Sequence, residues 1–189
     1  MSVLFINACV REDSRTLRLA RKVLGYLGDT AEEVCLETDG VRPMTRETLK
    51  LRDRLGQQGD YTHPMLTNAR KFAEADEIVV AAPFWDLSFP ALLKAYFESV
   101  MVSGVTFKYN EGVPYGLCRA KRLIYVTTAG GPVFMDFGFP YVKALAEAFC
   151  KIPETVCFRA ERLDIIGSDT EGILSAAERE IEAYFHGDK

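Results

Sequence analysis

The chain is short of histidine and has no closely spaced cysteine pair, and each shortage removes a class of function. Two histidines, His63 and His186, are too few for the usual His-ligated zinc centre, so no metal site is expected. The five cysteines (Cys9, Cys35, Cys118, Cys150, Cys157) are odd in number and include no CxxC. They read as reduced thiols rather than a disulfide framework. Positive charge is not in excess. A formal net charge of -4 argues against a nucleic-acid or anionic-membrane surface. No apolar run is long enough to span a bilayer, and the opening SVLFINA has neither a basic segment before it nor a cleavage pattern. The expected location is the cytoplasm, with neither nucleic acid nor membrane as a partner.

What the chain does have is a core and an alternating pattern. Its 189 residues, 48% of them hydrophobic, suit one domain spanning 1–189 with a substantial interior. Strands are expected at 3–8, 33–38, 77–82, 122–128 and 155–159. Helices are expected from Asp13 or Ser14 to about Leu27, over 64–75, from Ser88 or Pro90 to Met101, and over 141–150 and 170–185. Strand and helix alternate five times, which gives an α/β doubly wound five-stranded parallel sheet with helices on both faces. No GxGxxG follows the first strand, so order 2-1-3-4-5 is the expected arrangement. The charged stretch 39–61 reads as a surface insertion with a short helix near 46–55, long enough to act as a lid. The helix with Leu92, Leu93, Tyr96, Phe97, Val100 and Met101 has a stripe wider than a monomer's surface helix needs. Phe107, Tyr109 and Tyr115 make poor core material, and both features point to a homodimer.

Three loops should meet where strands end, the crevice in which open α/β sheets bind ligands. NACVREDSRT opens a helix whose N–H groups and partial positive charge suit a phosphate, with Arg11, Ser14, Arg15 and Thr16 as added donors. Ser14 as a plain N-cap beside solvated arginines explains the same residues equally well. Glu12 and Asp13 oppose a phosphate unless they point away. Pro83 ends the most apolar strand, and Phe84, Trp85, Asp86 and Leu87 follow as an aromatic edge. A core aromatic pair is the plainer account of that loop. Thr128, Ala129, Gly130 and Gly131 end the fourth strand, where paired glycines let backbone approach a planar ligand. An ordinary turn explains them as well. Phosphate anchor, aromatic wall and glycine seat together suit FMN.

These motifs, in order and over essentially the whole length, resemble the flavodoxin-like FMN-dependent NAD(P)H:quinone oxidoreductases and azoreductases. Ser14-Arg15-Thr16 matches the family's S-x-[ST] phosphate loop, and Pro83-Phe84-Trp85-Asp86-Leu87 its loop along the isoalloxazine. TFKYNEGVPYGL resembles the family's F-[KR]-Y-T-E-x-G-P-x-G-L, and TTAGG its S-x-G-G. The resemblance implies tightly bound FMN, NADH or NADPH as co-substrate, and a homodimer with each flavin near the interface. It further implies ping-pong transfer of hydride through the flavin N5 to a quinone, azo compound or similar small-molecule electron acceptor. In that scheme the backbone N–H groups of Gly130 and Gly131 face the reduced ring, Phe84, Trp85 and Phe134 wall the slot, and no side chain is assigned as a catalytic acid. Asp86 departs from the usual Asn, and Ala129 from a larger polar side chain.

Two rival readings use the same residues. Cys9 to Thr16 spells C-x5-R-[ST], the phosphate loop of low-molecular-weight tyrosine phosphatases, with Cys9 as nucleophile and Arg15 as clamp. That family's Asp-Pro acid is missing, and the later motifs go unused. A flavodoxin-type electron carrier or FMN sensor would keep the cofactor but not the turnover.

Overall fold

The computed structural model describes residues 1–28 and 30–187. Its strands are β1 (Val3–Asn7), β2 (Ala31–Cys35), β3 (Glu77–Ala81), β4 (Phe107–Asn110), β5 (Val113–Gly116), β6 (Arg122–Thr128) and β7 (Glu154–Ala160). Its longer helices are α1 (Arg15–Leu27), α2 (Arg46–Gln58), α3 (Thr67–Glu74), α4 (Ala91–Val100), α5 (Phe139–Ala144) and α6 (Thr170–His186). Five strands pair in parallel in the order β2-β1-β3-β6-β7. This is the expected 2-1-3-4-5 sheet, since β4 and β5 form a separate antiparallel hairpin.

Alternation along each central strand feeds two cores. Leu4, Ile6, Ile78, Val80, Leu123 and Tyr125 face one side, with Phe72 of α3, Tyr96 and Phe97 of α4, and Val142 of α5. Val3, Phe5, Val79, Ala81, Ile124 and Val126 face the other, against Leu19 and Val23 of α1 and Leu174 and Ile181 of α6. Burial on both faces explains why these strands are apolar at nearly every position.

The structure differs from the sequence expectation in several places. β2 starts two residues earlier and ends three earlier, where the Asp39 carboxylate takes the Cys35 N–H at 3.0 Å and the chain turns away. Pro90, not Ser88, precedes α4, and no side chain caps that helix. Most of the wide α4 stripe is turned inward, with Leu93, Tyr96, Phe97 and Val100 buried, while Leu92 and Met101 are half-buried against the same core. Phe107 is buried as well, edge-on to Phe149, while Tyr109 and Tyr115 stay exposed. The 141–150 helix starts at Phe139 and widens to a π-helix over Leu145–Cys150. The 39–61 stretch folds into α2, docked through Val41 and Leu55 and through Arg52, which donates to the Glu98 carbonyl at 3.1 Å.

Candidate active site

Parallel strands deliver their C-terminal ends to one edge of the sheet, and the loops after β1, β3, β6 and β7 enclose a cleft of about 270 Å³ there. The loop after β1 ends at Ser14, whose hydroxyl accepts the Leu17 N–H at 3.2 Å as the N-cap of α1. A cap satisfies only part of a helix start, so the N–H groups of Arg15 and Thr16 remain available to a ligand. The Thr16 side chain is 1% exposed and its hydroxyl is spent on Thr128 at 2.6 Å, which ties α1 to the end of β6. Arg15 reaches across the cleft, donating to the Leu163 carbonyl at 3.0 Å and to Asp164 at 2.7 Å. Arg11 and Asp13 also line the cleft, whereas Glu12 does not.

The loop after β3 is fastened by the Phe84 N–H, which donates to the Thr128 carbonyl at 2.9 Å. Trp85 and Ser88 then exchange backbone hydrogen bonds at 2.9 and 2.8 Å around Asp86 and Leu87, whose φ values are 49° and 66°. Two central residues at positive φ make a type I′ turn, which Asn-Gly forms easily. An aspartate tolerates that geometry; a leucine is strained in it. Pro83, Phe84 and Trp85 line the cleft, with Trp85 41% exposed at its mouth, whereas Asp86 and Leu87 lie in the turn outside it.

The loop after β6 supplies Thr128, Ala129 and Gly130 to the cleft, but not Gly131. A Cβ on Gly130 would sit 2.2 Å from the Asp164 carboxylate, so a side chain there would displace that wall; one on Gly131 would meet nothing within 4 Å. The loop after β7, with Leu163 and Asp164, is a fourth wall that the sequence did not suggest. Its residues are held by backbone bonds from Leu163 and Asp164 to the Ala129 and Gly130 carbonyls. The only advance sign was the break of the strand pattern at ERLD.

The surroundings of Cys9 do not suit a nucleophile. The residue is 6% exposed, and burial pushes its thiol up to about 11, with the Ser14 hydroxyl acting in the opposite sense. Its N–H is already bound to the Asn7 side chain at 3.0 Å. A phosphatase thiolate needs the reverse of both.

The chain matches the family model described as flavodoxin-like fold over residues 1–185. It is 37% identical over 186 residues to FMN-dependent NADH:quinone oxidoreductase 2 of Clostridium acetobutylicum, covering 91% of this chain and 92% of the relative. The FMN-dependent NADH:quinone oxidoreductase of Coprothermobacter proteolyticus is 33% identical over 193 residues, with 95% and 96% covered. A Bacillus anthracis FMN-dependent NADH-azoreductase, solved in complex with FMN, superposes with a TM-score of 0.82 at 22% identity, covering 98% of this chain and 97% of that one. The sheet order and these relationships agree: the chain belongs to the flavodoxin-like fold family and, within it, to that of the FMN-dependent NADH:quinone oxidoreductases.

Proposed function

We propose that the chain, as one domain over 1–189, is a cytoplasmic FMN-dependent oxidoreductase that passes electrons from NADH or NADPH to a quinone, azo compound or similar small acceptor. The observation that carries this reading is the meeting of a helix start, an aromatic wall and a glycine strand end in one cleft. The donor set fits the cofactor. Backbone N–H groups of Arg15 and Thr16, with the guanidinium of Arg11, suit a phosphate at the head of α1. Arg15 pairs with Asp164, so its guanidinium acts chiefly as a strap across the cleft.

Bound FMN supplies the hydride and electron chemistry, and the protein supplies position and field. Phe84 and Trp85 offer a flat apolar wall, and Thr128, Ala129 and Gly130 a narrow floor. Among the described residues the N–H groups of Gly130 and Gly131 meet no intramolecular acceptor, which leaves them to stabilise negative charge on a ligand edge. Asp86 and Leu87 belong to this site through the turn that sets Trp85 rather than by lining it. No side chain in the cleft is placed as a general acid, and water serves to protonate the reduced acceptor.

A cleft of about 270 Å³ lies at the low end of small-ligand sites, so a large flat ligand extends past its mouth. Trp85 lines that cleft and is exposed, and Phe134, Phe137 and Ile166 are exposed on the segments after β6 and β7, which this reading takes as its rim. A second copy of the chain covering this rim, in a homodimer, completes the site.

The test is an anaerobic visible absorption titration. The expected result is that FMN added to the purified protein is retained through a desalting column and that its bands bleach on NADH or NADPH. A protein that retains no flavin defeats the reading, and a retained flavin that neither nucleotide bleaches makes it a carrier.

A further inference from the structure

The segment 133–137, between Gly131 and α5, carries three large apolar side chains into solvent: Phe134 is 82% exposed, with Met135 and Phe137 beside it. A short loop of that composition, left free, collapses onto the nearest apolar surface or swings. Here it is fastened by polar groups of its own, of β7 and of Glu161, the residue that follows β7. The Val133 N–H donates to Glu161 at 2.9 Å, and the Gly138 N–H to Asp136 at 2.6 Å. The Phe137 N–H donates to the Leu87 carbonyl at 2.8 Å, in the strained turn beside Trp85.

Arg159, the next-to-last residue of β7, joins these anchors. Its guanidinium pairs with the Asp136 carboxylate and lies 3.6 Å from that of Glu161. The Asp136 side chain is only 14% exposed, so water screens the pair weakly. One cation thus holds two carboxylates, one on the loop and one at the end of the strand. Without it the two would repel each other across the gap.

We propose that Arg159 is a positioning residue which, through Asp136 and Glu161, holds segment 133–137 as the outer wall of the acceptor slot. The segment leaves the cleft floor at Gly130, and its Phe137 N–H bonds the Leu87 carbonyl of the Trp85 turn, so it bridges the ends of two loops that line the cleft. The wall is apolar and its two anchoring carboxylates, Asp136 and Glu161, are both turned to Arg159, which selects flat, uncharged aromatic acceptors. The proposal rests on the flavin-reductase reading, and its test separates the two.

Amide hydrogen exchange of the purified protein reads the latch without any flavin. In Arg159→Gln the amides of Val133, Phe137 and Gly138 are expected to exchange at least ten-fold faster than in the parent, with the central strands unchanged. The FMN-loaded enzyme, reduced with dithionite, is then mixed with menadione or with dioxygen, which is small, neutral and needs no aromatic wall. Menadione reduction is expected to slow roughly ten-fold and dioxygen reduction to hold. Arg159→Lys, which keeps the charge but not the fork, should fall between. Asp136→Asn should reproduce the effect if Arg159→Gln fails to fold. Unchanged exchange at 133–138, or equal slowing of both acceptors, overturns the proposal. A parent protein that binds no FMN defeats the flavin reading instead, and with it the role assigned to the wall, even where exchange shows the latch is real.

Discussion

At the scale of single residues, burial decides which groups near the cleft can react. Cys9 sits two residues past β1 in a position that spells a phosphatase nucleophile, yet its surroundings keep it protonated. A raised thiol pKa means that the neutral form persists from the ordinary value of 9.0 up to about 11. Peptide-resolved labelling with iodoacetamide should therefore find Cys9 nearly inert at pH 7.5, with a rate that climbs until about pH 11. Cys9→Ser should retain FMN and NADH oxidation within two-fold. Rapid labelling at neutral pH, or loss of turnover, would return thiol chemistry to the site. Arg15 shows the same lesson in reverse. Its place in S-R-T marked it for a phosphate, but which partner it takes depends on Asp164, 149 residues away. Sequence proximity can nominate a cation and cannot say what neutralises it.

At the scale of elements, glycine separates two kinds of constraint. Gly25 is an exposed residue inside α1, and a Cβ added there would meet nothing within 4 Å, so Gly25→Ala should stabilise by about 0.5–1 kcal/mol through helix propensity. Gly116 ends β5 against the π-helix, where a Cβ would lie 2.1 Å from the Cys150 carbonyl oxygen. Backbone cannot step aside as a side chain can, and Gly116→Ala should cost roughly 1–3 kcal/mol. Urea midpoints of the two variants should move in opposite directions, and a neutral Gly116→Ala would mean that the hairpin rests loosely on the π-helix.

The parallel strands were legible because burial on both faces writes itself as unbroken runs such as IVVAA. The β4–β5 hairpin was not. It turns through Glu111 and Gly112 at positive φ, but Pro114 and Gly116 break the strand pattern that would have announced it. The three loops nominated for the cleft do converge there, because strand direction alone puts them on one edge. Their finer geometry, with Thr16 turned to Thr128 and Leu87 held in a strained turn, depends on contacts between distant segments.

At the scale of the whole molecule, apolar surface has a different distribution from the one α4 suggested. The helix stripe is largely internal, and Trp85, Phe134 and Phe137 are exposed on the rim loops after β3 and β6, as Tyr109 and Tyr115 are on the β4–β5 hairpin. A homodimer through that rim predicts a light-scattering mass of twice 21.2 kDa at micromolar concentration. It also predicts that Phe134→Asp shifts the population towards monomer, because a buried charge at such an interface costs far more than an exposed one. A monomeric parent would remove the dimer from the account while leaving the cleft intact.

The cleft takes its walls from Arg11 at one extreme of the chain and Asp164 at the other. During synthesis the N-terminal segments emerge first, at about 5–20 residues per second, and can begin to pair before the last strand exists. The pocket can close only when the segment after β7 has left the ribosome. Ligand capture is therefore a late event in the life of each molecule, and a prematurely terminated chain can carry most of the sheet yet have no means of holding what the finished one holds.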